Sequence, residues 1–301
     1  MTKERPICDY EGSDYQERFW EHGERAYEDE VEAVALKRLV PPSGKRMLEI
    51  GAGAGRNTPR FGGFKEVVLL DYAKSQLAQA QSRLGKTDRF HYVMADAYHL
   101  PFAPGVFDAA TMIRTLHHMA DPKSVIRQVR GVMSSGGTYV MEFANKRNVK
   151  AIARWFLRRQ NWNPFDRTAI EFAPLNFDFH PAAVSEWMVE ADFRIEQQLT
   201  VSHFRLGLFK RIIPLQVLVG LDSLLQWTGN WWQLSPSVFI QAKAVGEGSR
   251  SEVGAFWRCP VCESLELEEG DEGVHCQGCG RTWPVQDGIY NFREPLGTNE
   301  T

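Results

Sequence analysis

The 301 residues carry 35 Lys and Arg against 38 Asp and Glu, a formal net charge of −3, with 43% apolar residues. That is ample material for a large core, and near-neutrality by itself recommends neither nucleic acid nor a membrane as partner. Residues 1–12 lack a basic stretch followed by an apolar one, so no secretory leader is expected and the expected compartment is the cytoplasm.

In chain order, Tyr10 to Val40 is rich in charge and aromatics, and Val31, Val34, Ala35 and Leu39 fall on one helical face ahead of Pro41-Pro42. Met47 to Ile50 follows as a short apolar strand. Gly51, Gly53 and Gly55 then make a turn without Cβ atoms, and a helix is expected to begin near Arg56. Such a turn brings free N–H groups close to a ligand. A dinucleotide fingerprint starting at Gly51 needs glycine where Arg56 stands, and no Gly-Lys-Ser or Gly-Lys-Thr completes a phosphate loop. Glu49 instead precedes the alternating glycines.

Lys65 to Asp71 is a second strand ending in an acid, suited to the hydroxyls of a ribose. Phe90 to Ala95 is a third, closed by Asp96-Ala97. Val106 to Ile113 is a fourth, with Arg114-Thr115-Leu116-His117-His118 at its carboxyl end. Asp121 and Pro122 read as N-cap and first residue of a helix to about Met133, and Thr138 to Phe143 as a fifth strand. This ordered set, from Glu49 and its glycines to Asp96, resembles the class I S-adenosylmethionine (SAM) methyltransferases of type 11 over residues 46–143. The resemblance implies a doubly wound, seven-stranded Rossmann-like α/β sheet whose last hairpin is antiparallel. It also implies a cofactor site in which Glu49, Gly51, Gly53 and Gly55 hold the methionine end and Asp71 the ribose. Tyr72, Asp96 and Ala97 would take the adenine, and Arg114 is a further cofactor-binding residue. The segment before the first strand, residues 10–40, would form a lid, with Tyr15, Phe19, Trp20 and Tyr27 either covering the cofactor or packing the helix onto the sheet.

Lys146, Lys150, Arg154 and Arg158 recur every fourth residue within 145–160 beside an apolar face, a basic stripe if the segment is helical. Pro181 opens a helix to about Ala191, and Phe193 to Phe204 and Ser237 to Val245 are the sixth and seventh strands. Ile212 to Trp232 contains one charged residue, Asp222. Its interruptions exclude a transmembrane span but suit a cap, the wall of an apolar acceptor pocket, or a peripheral membrane contact.

Residues 247–255 read as a linker, dividing a first domain of 1–246 from a second of 256–295. Cys259, Cys262, Cys276 and Cys279 form two Cys-x-x-Cys knuckles thirteen residues apart, spaced for a tetrahedral structural Zn²⁺, the alternatives being a rubredoxin-like iron centre or two redox dithiols. With Trp283-Pro284-Val285 and Asp287-Gly288-Ile289, this segment resembles the small zinc-ribbon activator of translation-related methyltransferases. From Glu247 onward eleven acids face four Lys and Arg, a poor grip for phosphate. The enzymes of amino groups that share the cofactor motif resemble one another in an Asn/Asp-Pro-Pro-aromatic motif, whereas Ile113 to Leu116 stand here. A small, lipophilic acceptor is therefore expected, with RNA or a translation factor as the alternative, and His117 as the candidate base.

Overall fold

The computed structural model describes residues 6–12, 25–246 and 254–297. The lid positions Tyr15, Phe19 and Trp20, and most of the expected linker, lie outside the described residues.

Helix α1 (Ala26–Leu39) precedes β1 (Gly44–Ile50), β2 (Phe64–Asp71), α2 (Lys74–Leu84), β3 (Phe90–Met94) and β4 (Phe107–Met112). Then come α3 (Pro122–Val132), β5 (Met133–Ala144), α4 (Val149–Phe156), the hairpin β6 (Ile170–Ala173) and β7 (Asn176–Asp178), α5 (Pro181–Glu190) and β8 (Phe193–Val201). Helices α6 (Gly207–Ile212) and α7 (Leu215–Leu225) lead to β9 (Ser237–Ala244). The last four strands are β10 (Leu267–Gly270), β11 (Gly273–Cys276), β12 (Thr282–Gln286) and β13 (Ile289–Asn291).

The sheet order β3-β2-β1-β4-β5-β9-β8 is the expected one, parallel through β5, with β9 antiparallel to both its neighbours. Alternation along each strand divides its side chains between two covered faces. Leu48, Val68, Ala110 and Met141 pack with Val125, Ile126 and Val129 of α3, whereas Met47, Val67 and Leu69 pack with Leu77 and Ala80 of α2. Beyond α2, the second face continues as Val31, Leu36, Val140, Leu199 and Phe239, under α1 and α7. As the sequence implies, Asp121 caps α3, its carboxylate accepting from the Ser124 N–H at 3.2 Å with Pro122 as the first helical residue.

Two local expectations change. Arg56 does not open a helix; the turn leads to a single 3₁₀ turn, Thr58–Phe61. The basic stripe also dissolves, because the helix is only Val149–Phe156 and leaves Lys146 and Arg158 outside it. Lys146 is buried, its Nζ donating to Asp166 at 2.8 Å and to the Thr168 carbonyl at 2.6 Å, while Arg158 turns the chain at φ 53°.

The cysteine-bearing segment does not hang from a tether. Strands β10 to β13 form an antiparallel meander whose last member runs parallel to β3, Ile289 opposite Tyr92 and Asn291 opposite Met94, so one sheet of eleven strands passes through both parts of the chain. Trp257 closes the joint: its ring stacks on Phe102 at 5.6 Å and meets Tyr290 and Phe292, both at 4.8 Å.

Candidate functional site

Three glycines at left-handed φ shape the turn after β1, and each answers a different constraint. A Cβ on Gly51 (φ +67°) would stand 2.1 Å from Thr115 Oγ1, and one on Gly55 (φ +71°) 2.9 Å from Leu84 of α2. Gly53 (φ +53°) faces open space, with Gln76 Oε1 at 3.8 Å its nearest neighbour. The N–H groups of Gly51 and Ala52 donate to the Leu70 carbonyl, and that of Gly53 to Asp71 Oδ2 at 2.8 Å, so β2 holds the turn in place.

The turn and the carboxyl ends of β1 to β4 line one cleft. Gly51, Gly53, Asp71, Tyr72, Asp96, Ala97 and Arg114 all face it. Glu49 and Gly55, expected at the methionine end, are not among its lining residues. Glu49 is buried behind the turn, accepting from Thr58 Oγ1 at 2.6 Å, and burial pushes its carboxyl up to about 7. Asp71 also accepts from the Ala73 N–H at 3.0 Å, and burial raises its carboxyl against the pull of these N–H groups. Asp96 accepts from the Tyr98 N–H at 2.8 Å.

Several residues that the pattern of motifs did not reveal complete the cleft. Glu32 of α1 is wholly buried between Arg56 and Arg114. It accepts from Arg56 Nη2 at 2.8 Å and Arg114 Nε at 2.7 Å. Despite the opposing penalty of burial, the two guanidinium groups hold its carboxyl down to about 2. Both arginines line the cleft, so α1 fixes its rim from behind. A charge beside Val31 on an apolar helix face was the only sign of this in the sequence. Arg293, from the far end of the chain, lies over the Tyr72 ring at 3.6 Å and donates to the Tyr72 carbonyl at 2.7 Å. Pro6, Ile7, Cys8 and Tyr10 cover another side, and Glu11 accepts from the Ser75 N–H at the start of α2. Tyr27, by contrast, packs: it is buried, donates to Asp222 at 2.6 Å and accepts from the Phe204 N–H.

Of the adjacent histidines, His118 lines the cleft, bonded to Tyr10 Oη at 3.0 Å and to the Leu175 carbonyl at 2.9 Å. His117, the expected base, lies behind it with ring centroids 4.0 Å apart and is not a lining residue. Burial and the neighbouring His118 and arginines keep its ring well below the ordinary imidazole range.

The four cysteine sulfurs lie within 4.8 Å of one another. Cys259 and Cys279 approach to 3.7 Å and Cys262 and Cys276 to 3.5 Å. Four thiolates about 2.3 Å from a central Zn²⁺ stand about 3.8 Å apart, so the set fits a tetrahedral ion, and the gaps are too long for disulfides. Backbone N–H groups of Val261 and Cys262 point at the Cys259 sulfur, and those of Gly278 and Cys279 at that of Cys276.

A family model described as a methyltransferase domain matches residues 48–141. Over those residues the chain is similar to methyltransferase domains. Among curated relatives, an O-methyltransferase of Penicillium expansum is 32% identical over 109 residues, 35% of this chain and 40% of its own length. A demethylmenaquinone methyltransferase of Clavibacter sepedonicus is 32% identical over 115 residues, 38% and 47% of the two chains. The chain thus spans under half the length of these relatives. The fold is shared with a SAM-dependent methyltransferase of Thermotoga maritima, at 18% identity and TM-score 0.51 over 76% of this chain and 93% of the other. It is shared too with a chain of the complex between the Haloferax volcanii Trm112 methyltransferase activator and a methyltransferase, at 14% identity and TM-score 0.53 over 76% and 95%.

Proposed function

We propose that the protein transfers a methyl group from SAM to a small, lipophilic acceptor, and that its cysteine ribbon holds a structural Zn²⁺. The observation that carries the cofactor reading is the convergence of Gly53, Asp71, Tyr72 and Asp96 on one cleft. Asp71 and Asp96 offer acceptors for hydroxyl and amino groups, Tyr72 a flat face, and Gly53 open space against the turn. No phosphate loop accompanies them, which suits a cationic ligand without phosphate.

When bound, SAM supplies an electrophilic methyl carbon on a sulfonium. The chain's task is then alignment: the turn held by Leu70 and Asp71 sets one end of the ligand, and Arg56 and Arg114, clamped by Glu32, keep the rim from moving. The acceptor reading is supported by the small-molecule methyltransferases among the relatives. The alternative acceptor, RNA or a translation factor, loses its basic stripe with the burial of Lys146.

Calorimetric titration with S-adenosylhomocysteine beside NAD tests the cofactor. We expect binding of the former only, weakened at least tenfold, about 1.4 kcal/mol, in Asp71→Ala. Unchanged affinity in that variant overturns the ribose assignment.

A further inference from the structure

Helix α7 is apolar on two sides, and the fold uses only one of them. Leu218 and Asp222 are buried, Asp222 accepting from Tyr27 at 2.6 Å and from the His203 N–H at 2.8 Å, while Leu215 and Val219 pack partly against the core. On the other side Val217, Leu221 and Leu224, spaced as one helical face, are exposed. Leu225, Trp227, Trp231 and Trp232 continue that exposed surface through the turn after the helix. A helix apolar all round is ordinarily enclosed all round, so the outer side of α7 calls for an apolar medium that the fold does not supply. The turn is bonded in its course to α4. The Val149 N–H donates to the Leu234 carbonyl at 2.9 Å, and Asn145 Nδ2 to the carbonyls of Gln233 and Ser235 at 2.9 and 2.8 Å. The stretch that carries Trp231 and Trp232 therefore lies against the start of that helix. Helix α4 repeats the pattern on a smaller scale: Ala151 is buried, whereas Val149 and Phe156, two turns apart, are exposed together with Leu157.

Charge says what covers this surface. Residues 145–165 and 205–234 carry nine Lys and Arg and a single acid, the buried Asp222, in a chain whose net charge is −3. Lys146 and Lys210 are taken up by Asp166 and Glu28. Although they form no regular stripe, Lys150, Arg154, Arg158, Arg159 and Arg211 are exposed among the apolar side chains. We propose that this surface docks on an anionic lipid bilayer, with α4 and α7 lying along it, their exposed apolar side chains among the upper acyl chains and the bases at the lipid phosphates. Aliphatic side chains flanked by Lys and Arg, with tryptophans at the boundary, are what an interfacial helix presents. An RNA would use the bases and the indole rings but would leave Val217, Leu221 and Leu224 in water. A second copy of the chain would bring the same positive excess face to face, which confines self-association to high concentration. The proposal goes beyond the methyltransferase reading and stands without it.

Co-sedimentation of the full chain with vesicles tests it, using phosphatidylcholine alone and phosphatidylcholine mixed with phosphatidylserine, at about 0.1 M salt. We expect the mixed vesicles to retain the protein at least about tenfold more tightly than the neutral ones. That retention should fall at least about tenfold in Lys150→Glu combined with Arg154→Glu, which removes the charge, and separately in Trp231→Ser combined with Trp232→Ser, which removes the insertion. All four side chains are exposed, so the melting temperature should not change in either variant; if one variant does melt early, the other decides. Equal binding to both kinds of vesicle, binding to neither, or binding that survives both double substitutions overturns the proposal. Retention of total RNA by a protein that ignores the vesicles assigns the surface to nucleic acid and overturns it as well.

Discussion

Glu49 shows how a motif residue can serve a site from outside it. Its carboxyl is buried behind the glycine turn and raised from an ordinary 4.5 to about 7. A group raised in the folded state gives its full stability below its unfolded pKa and loses it as pH rises through the folded one, so the cost of ionising Glu49 appears between about 4.5 and 7. Two and a half units correspond to about 3 kcal/mol. Without ligand, Glu49→Gln, which still accepts from Thr58, should therefore melt well above the wild-type protein at pH 8 and close to it at pH 5; a gap that is the same at both values removes the ionisation account. Glu32 has the opposite sign, held low by two arginines. Removing its charge leaves both uncompensated in the interior, so Glu32→Gln should destabilise by about 3–5 kcal/mol in denaturant titrations at pH 7. Asp71 and Asp96 were legible because an acid at a strand's carboxyl end has a fixed address in this fold. Glu32 and Arg293 were not, because each braces a lining residue from outside the cleft through a tertiary contact with a distant element, and no periodicity encodes that. His117 and His118 are adjacent in the chain, and only the three-dimensional path of the turn after β4 decides which one meets the cleft.

At the scale of elements, the seven strands of the main sheet followed from apolar runs and the acids that end them, their order from the family resemblance, and even the cap of α3 could be read. Helix α4 misled because a four-residue recurrence of basic side chains ran past both of its ends, and Lys146 found Asp166 twenty residues away. The pairing of β13 with β3 was equally hidden: edge-to-edge addition depends on which strand lies outermost, a property of the assembled sheet. That pairing and the Trp257 joint make the metal site answerable to the rest of the fold. The cysteine meander has little core of its own, so chelation should raise amide exchange throughout β10 to β13 and then along the β3 edge, read by hydrogen–deuterium exchange. Trp257→Ala should release the same strands from β3 with the metal still bound, at a cost of about 3–5 kcal/mol. If chelation leaves exchange in the meander unchanged, the structural-metal reading is wrong.

Over the whole molecule, apolar surface is concentrated on α7 and the turn after it, where Leu224 is 73%, Trp231 74% and Trp232 68% exposed. Among the described residues no helix is long and apolar enough to cross a membrane. A grouping of this kind promotes association at high concentration, so Leu224→Lys combined with Trp231→Arg should lower concentration-dependent light scattering without changing S-adenosylhomocysteine affinity. The eleven-stranded sheet has a further consequence, in time rather than in space. Tyr92 and Ile289, which sit opposite each other, are about 200 residues apart along the chain. At a synthesis rate of about 5–20 residues per second, β3 leaves the ribosome roughly ten to forty seconds before the strand that covers it. Throughout that interval the nascent domain presents an unpaired parallel edge, open to any other chain with a strand to offer.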